Sequence, residues 1–340
     1  MGVRLAVGGK VGEPVTVATG SGFAVRVRHA ACYLALQARK VGLESNGIMM
    51  LTRRSFLVGC SAAALASGCA IFRSKEGPAV EELEALRAQL GGRLGVHALD
   101  LGSGNRLGLD ADGRYAMAST FKLLLAAAVL HRVDRKELKL DQQVAFTAKD
   151  MVAYAPVAQQ QLARGFMTVQ ELCAAIMLVS DNAAANLLLR LIGGPAEVTR
   201  FAQQLLEDHV TRLDRFEPEL NQNLPNDPRD TTTPRAMVNN MDRLLIGDAL
   251  RPASREQLIA WLTGSQTGQK RIRAGVPKAW KVGDKTGTGE NGAVNDVAIA
   301  TPPDRSPILI AIYMSESKKD AKTLAAAHAS IARIISEAWA

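Results

Sequence analysis

The chain has 340 residues, 47% hydrophobic and 22% charged, a composition ordinary for a globular protein and a length sufficient for one large domain or two smaller ones. A formal charge of +8 points at first to nucleic acid, but residues 1–69 hold eight Lys/Arg against two Asp/Glu, leaving 33 basic and 31 acidic residues for the remainder. The basic excess therefore belongs mainly to a leader, and residues 70–340 lack by composition the basic face that a nucleic-acid binder needs.

Residues 1–49 show no hydrophobic period and are expected to be an unstructured or mis-started leader, since Met49 and Met50 both offer a later start. Residues 50–75 have the shape of a twin-arginine export signal: Arg53-Arg54 precede an apolar stretch, 56–66, that ends in small residues and is too short to anchor stably across a bilayer. The expected destination is the periplasm. Two processing routes fit, cleavage after the small-x-small run Ala64-Leu65-Ala66, or lipidation at Cys69 of Ala66-Ser67-Gly68-Cys69, which would make the membrane a partner only through a lipid anchor.

Beyond the leader, residues 79–90 carry a helical stripe, Val80, Leu83, Leu86 and Leu90, closed by Gly91-Gly92. Residues 94–101 read as a strand, and 102–105 as a turn to a second strand at 106–109. From Ser119 the pattern is helical for about 140 residues. Thr168-Val-Gln-Glu171 predicts a capping box, Gly193-Gly194-Pro195 a helix end followed by a helix start, and Thr233-Pro234 and Ser254 two further starts. Residues 212–232 show little period but hold three prolines, and a loop of that length inside a compact domain is usually functional. Strand patterning returns at 281–285, 294–301 and 308–314, and 319–339 closes the chain as a helix. Strands at both ends with helices between predict a sheet assembled from the two termini, 76–116 and 264–340, and an inserted helical domain, 117–263.

Ser119-Thr-Phe-Lys122 opens the first long helix, which places the hydroxyl and the amine on one face. A serine hydroxyl needs a base within reach to act as a nucleophile, and a helix N-terminus favours developing negative charge. Four further groups stand with it: Ser180-Asp181-Asn182 between two helical runs, Arg215-Phe-Glu217-Pro-Glu-Leu-Asn221 in the long loop, Lys285-Thr286-Gly287-Thr288-Gly289 at the end of a strand, and Tyr154 in a Tyr-Ala-Pro loop. The five histidines are scattered and of the four cysteines only Cys173 follows the leader, so neither a metal site nor an internal disulfide is expected.

S-x-x-K, S-D-N, E-P-E-L-N and K-T-G in this order resemble a class A serine β-lactamase over residues 79–340. The resemblance implies an α/β fold of two parts, a five-stranded antiparallel sheet flanked by helices plus an all-helical insert, acting as a monomer on β-lactams without a cofactor. It implies that Ser119 is acylated, that Lys122 and Ser180 exchange its proton and deliver one to the leaving nitrogen, and that Glu217 with Asn221 activates the water that releases the ester. The oxyanion would lie on the backbone N–H groups of Ser119 and Thr288. Asn182 would hold the substrate's side-chain amide, Lys285, Thr286 and Thr288 its carboxylate, and Tyr154 would wall the cleft. Arg215 should pair with Asp230, and the Glu217–Pro218 peptide should be cis. Val294 stands where many relatives carry a carboxylate-binding arginine; Arg271 matches the alternative position, with Arg273 pointing away if the stretch is extended. A D-alanyl-D-alanine peptidase or a β-lactam sensor would share S-x-x-K and K-T-G, and the loop carboxylate Glu217 favours hydrolysis over both. Precursor from the native host should begin at Met49 or Met50 on N-terminal sequencing; peptides from 1–48 would refute the later start.

Overall fold

The computed structural model describes residues 16–18, 24–26 and 76–339. The chain divides into two units, 1–71 and 72–340. In the first, β1 (Thr16–Ala18) pairs antiparallel with β2 (Ala24–Arg26), a short ladder in a stretch whose sequence shows no period. The export signal and Cys69 lie outside the described residues.

The second unit begins with α1 (Glu76–Leu90), β3 (Arg93–Asp100), β4 (Arg106–Leu109) and the two-residue β5 (Tyr115–Ala116). The middle holds α2 (Phe121–Asp134), β6 (Gln143–Ala145), α3 (Pro156–Gln161), β7 (Phe166–Thr168), α4 (Val169–Leu178), α5 (Asn182–Ile192), α6 (Pro195–Leu205), β8 (Thr231–Thr232), α7 (Pro234–Leu245) and α8 (Pro252–Thr263). It ends with α9 (Ile272–Gly275), β9 (Lys281–Thr288), β10 (Val294–Thr301), β11 (Ile308–Ser315) and α10 (Ala321–Ala338). The main sheet runs β4-β3-β11-β10-β9, antiparallel throughout, so strands from both ends of the unit meet at the β3–β11 pair.

The period-two alternation of these strands divides two cores. In β11, Ile308, Ile310, Ile312 and Met314 face a core completed by α1 and α10. Leu309, Ala311 and Tyr313 face the larger core filled by α2, α4, α5 and α7. The expected sheet part and the helical part thus share one wall, which keeps helices and strands in fixed relation where the site forms.

Local signals act as expected at most boundaries. The Thr168 hydroxyl accepts from Glu171 N while the Glu171 carboxylate accepts from Thr168 N, Gly193 ends α5 at φ 104° and the Thr233 hydroxyl caps α7. Two boundaries differ. Helix α8 starts at Pro252, and Ser254 instead donates to Asp134 on α2 at 2.6 Å, a tertiary bond that no local pattern encodes. Strand β9 continues three residues beyond the expected 281–285, to Thr288, so that the 285–289 motif does end the strand; Asp284, Lys285 and Thr286 are buried polar residues that hide the apolar pattern. Because the sheet is covered on both faces, Leu309→Ala and Ile310→Ala should each lower unfolding free energy by about 2–5 kcal/mol in urea titrations; a near-neutral effect at either would leave one face uncovered.

Candidate active site

Ser119 lies in a 3-10 turn, Ala118–Thr120, that runs directly into α2. Ala118 is left-handed at φ 42°, and the turn is braced from the sheet: Asn295 on β10 donates to the carbonyls of Ala116 and Met117 at 2.9 and 3.0 Å. Strand β9 presses on the same backbone. A Cβ at Gly287 would stand 2.7 Å from Met117 O, so only glycine lets the strand carrying Thr288 come this close to Ser119.

One helical turn after Ser119, the Lys122 side chain is fully buried. Its ammonium nitrogen is 2.9 Å from Ser119 Oγ, 2.8 Å from Ser180 O, 3.3 Å from Ser180 Oγ, 2.6 Å from Asn182 Oδ1 and 3.0 Å from Glu217 Oε1. Burial pushes its pKa down, and the Glu217 carboxylate opposes that shift. The turn bearing Ser180 is fixed by Asp181, which is buried and accepts from the backbone N–H groups of Val157, Ala158 and Ala184. Ser180 itself is left-handed at φ 65°, which turns its hydroxyl toward both lysines.

Glu217 is 2% exposed. Its backbone is held by a buried asparagine on α5: Asn186 Oδ1 accepts from Glu217 N at 2.9 Å and Asn186 Nδ2 donates to Glu217 O at 2.8 Å. The Glu217–Pro218 peptide is cis. Asn221 donates to Glu217 Oε2 at 2.5 Å. Oε1 is engaged by the Lys122 ammonium at 3.0 Å, and a carboxylate oxygen can accept a second donor, while Asn221 Oδ1 is buried without a donor. The loop is clasped at its root, where Asp230 accepts from Asp214 N, Arg215 N and Arg215 Nε at 2.7, 2.9 and 2.6 Å.

A cleft of about 350 Å³ opens over these groups, lined by Ser119, Tyr154, Ser180, Asn182, Asn221, Thr267, Arg271, Thr286 and Thr288. Asn182 also donates to Ala153 O at 3.0 Å, next to Tyr154, which is 60% exposed on the rim. Arg271 donates to Gly287 O, Asn295 O and Thr288 Oγ1, whereas Arg273 turns away to Asp284. The expectation that Arg273 faces away holds, but not through an extended stretch: Arg271 caps the short helix α9. Val294 is buried beside Ile312 and Met314 and does not line the cleft. The Lys285 amine is buried, donating to Ser180 Oγ at 3.1 Å and to Thr286 O at 2.9 Å, next to two residues that line the cleft.

Sequence reading passed over Asn186, Asn295 and Thr267. Thr267 Oγ1 meets Thr286 Oγ1 at 2.6 Å on the carboxylate side of the cleft. Asn186 did leave a signal, an amide between three alanines and three leucines, whereas Asn295 stands beside Asp296 and is not singled out by its neighbours. Among the described residues there is no group of His, Cys, Asp and Glu able to hold a metal.

The profile of the Beta-lactamase enzyme family matches residues 78–339. The chain is 40% identical to β-lactamase CTX-M-4 of Salmonella typhimurium over 84% of its length and 98% of that protein. It is 42% identical to a β-lactamase of Proteus vulgaris over 71% and 89%. A solved structure of the reconstructed last common ancestor of Gram-negative class A β-lactamases superposes with TM-score 0.76 at 52% identity, covering 77% of this chain and 99% of that one. A β-lactamase from Xanthomonas campestris gives 0.76 at 45%, covering 78% and 99%.

Burial and the neighbouring Lys122 charge push Lys285 down to about 7. Its positive charge, which favours an anionic substrate, is lost as pH rises through that value, so kcat/KM for a penicillin should fall on the alkaline side. Lys285→Arg, which cannot deprotonate in this range, should flatten that limb; a limb that persists would place the titration elsewhere.

Proposed function

Because this chain belongs to the class A β-lactamases and hydrolyses the β-lactam ring, conferring antibiotic resistance, we propose that it does so by a serine acyl-enzyme cycle run by Ser119, Lys122, Ser180 and Glu217. The observation that carries the cycle is the meeting of Ser119 and Glu217 on one buried ammonium, with contacts of 2.9 and 3.0 Å. Nucleophile and loop carboxylate therefore lie within reach of one bridging water molecule.

In acylation, Ser119 Oγ bonds to the lactam carbonyl carbon as its proton passes to the Lys122–Glu217 pair, which accepts it as a unit. Negative charge on the carbonyl oxygen is met by the backbone N–H groups of Ser119 and Thr288. The C–N bond then breaks, and the nitrogen takes a proton from Ser180 Oγ, replenished from the adjoining amines of Lys122 and Lys285. In deacylation, Glu217 removes a proton from water, the hydroxide oxygen attacks the ester carbon, and Ser119 Oγ departs and is reprotonated. The remaining acceptor capacity of Glu217 Oε1 and the free acceptor Asn221 Oδ1 suit a water that donates to both.

Arg271, Thr267, Thr286 and Thr288 form the cationic, hydroxyl-bearing end of the cleft and suit the substrate carboxylate. Asn182 and Tyr154 flank the opposite side for its acyl amide and side chain. The twin-arginine pattern at Arg53-Arg54 supports export and an enzyme acting in the periplasm, released or held by a lipid at Cys69.

Ser119→Ala should abolish covalent labelling by penicillins in intact-protein mass spectrometry. Glu217→Ala should still be acylated but release product on the order of 100-fold or more slowly, so that the adduct accumulates; unchanged turnover would remove Glu217 from the cycle.

A further inference from the structure

The arm of the loop that follows the deacylation carboxylate is not held by a hydrophobic core. Between Leu220, 1% exposed, and Asp230, fully buried, no residue of 221–229 is buried, and Leu224 stands 45% exposed. A cavity of about 470 Å³ lies against this arm, lined in part by Asn223, Leu224 and Pro225 on one side and Arg93, Arg114 and Ser315 on the other. Yet this arm carries Asn221, whose amide fixes one Glu217 oxygen. Something other than packing sets its position.

That restraint is a reciprocal pair of asparagines. Asn291, in the turn between β9 and β10, donates through Nδ2 to Gln222 O at 3.0 Å and approaches Asn223 O at 3.3 Å. Asn223 returns the contact, its Nδ2 lying 3.2 Å from Glu290 O and 3.0 Å from Asn291 O. Ser315 on β11 closes the set, its hydroxyl 3.0 Å from Asn223 Nδ2 and 3.2 Å from Asn223 Oδ1. Both asparagines are left-handed at φ 49°, a conformation that Asn adopts more readily than most residues. One residue away, Glu290 N donates to Asn221 O at 2.8 Å, and a Cβ at Gly289 would stand 2.7 Å from that same oxygen. A backbone bond thus joins the arm to the strand edge at Asn221, and side-chain amides hold the next two residues, Gln222 and Asn223, in register with it.

We propose that Asn223 and Asn291 are positioning residues for deacylation: their crossed amides hold the Asn221 arm against the β9–β10 turn and so keep the Glu217 carboxylate aimed at the attacking water. The inference rests on the deacylation role given above to Glu217. Neither asparagine lines the cleft, and of the groups that take part in acylation Ser119, Lys122, Ser180 and Thr288 are held independently, by α2, the Ser180 turn and β9. Loss of the latch therefore slows the second half of the cycle, in which Glu217 must be aimed at a water, more than the first, in which Lys122 shares the proton. Misplacing a catalytic group by about 1 Å lowers a rate by as much as about 100-fold.

The test compares Asn291→Gly and Asn223→Gly, which keep the left-handed backbone unstrained, with wild type and Glu217→Ala. Stopped-flow acylation, steady-state kcat and intact-protein mass spectrometry are followed with one penicillin. The expected result is an acylation rate lowered much less than kcat, a kcat lowered on the order of 10- to 100-fold, and a visible acyl-enzyme. Asn291→Asp, which keeps the shape but lacks the donor, should fail to restore kcat. A fall of acylation and kcat by one common factor, or a change only in melting temperature, would make the latch merely structural and overturn the proposal. If Glu217→Ala traps the adduct and the glycine variants turn over normally, the latch alone is refuted; if Glu217→Ala also turns over normally, the deacylation role falls and the latch with it.

Discussion

A fully buried ammonium is the constraint around which the site is built. An unpaired cation withdrawn from water would lose several kcal/mol or shed its proton. Lys122 is instead met by oxygens from four separate places: the turn before α2, the Ser180 turn, the start of α5 and the loop bearing Glu217. Each supplier is therefore drawn to the same point. The arrangement that satisfies the charge is also the one that places a hydroxyl, a proton donor and a carboxylate around one carbonyl. Stabilising the cation and assembling the catalytic groups are one structural problem here, which explains why the local backbone tolerates left-handed conformations at Ala118 and Ser180.

The carboxylate reaches that point through a different kind of support. The loop from Arg212 to Thr233 is anchored at its root by the Asp230 carboxylate and at its centre by Asn186, both buried and bonded to backbone. These bonds act on main-chain atoms and so fix where Cα of Glu217 lies. They do not fix the direction of its side chain, which depends on Lys122 on one oxygen and Asn221 on the other. Precision at the carboxylate is consequently delegated to hydrogen bonds at an exposed edge, in a segment without apolar anchorage.

Much of this was legible in the sequence because the chemistry is concentrated in short strings. Ser119 and Lys122 could be placed on one face because spacing of three on a helix fixes direction, and the Thr168 and Thr233 caps could be read because their partners are three residues away. The five-stranded sheet followed from family resemblance, while strand patterning was visible in 294–301 and in the unbroken apolar run 308–314. What could not be read were relations between distant positions. The inward burial of Lys285, the Ser254 bond to α2 and the bracing of the Ser119 turn by Asn295 each join residues that no local pattern relates. Strand β9 runs three residues past the expected 281–285 because the burial of a polar residue such as Thr286 is not visible until its partners are known. Arg271 was selected over Arg273 by resemblance, and the geometric reason offered, an extended stretch, was not the one the structure uses.

The distribution of charge behind the cleft accounts for how an anionic substrate is favoured although Glu217 stands beside the nucleophile. Lys122 and Lys285 lie close enough for the first to depress the second, and Arg271 adds a guanidinium at the cleft wall. Beneath them β9 and β10 bring Asp284 and Asp296 to diagonal positions on one face, since Asp284 lies opposite Ala298 and Asp296 opposite Thr286. Burial pushes both acids upward, and for Asp296 the charge of Asp284 adds to it. Arg273 compensates Asp284 from the side away from the cleft, and Asp296 accepts from Ile272 N. An acid whose ionised form is disfavoured neutralises less of the lysine and arginine charge than two free carboxylates would. Under the proposed cycle, the guanidinium of Arg271 at the Thr267–Thr286–Thr288 end would hold the substrate carboxylate while Glu217, on the Lys122 side, would handle water.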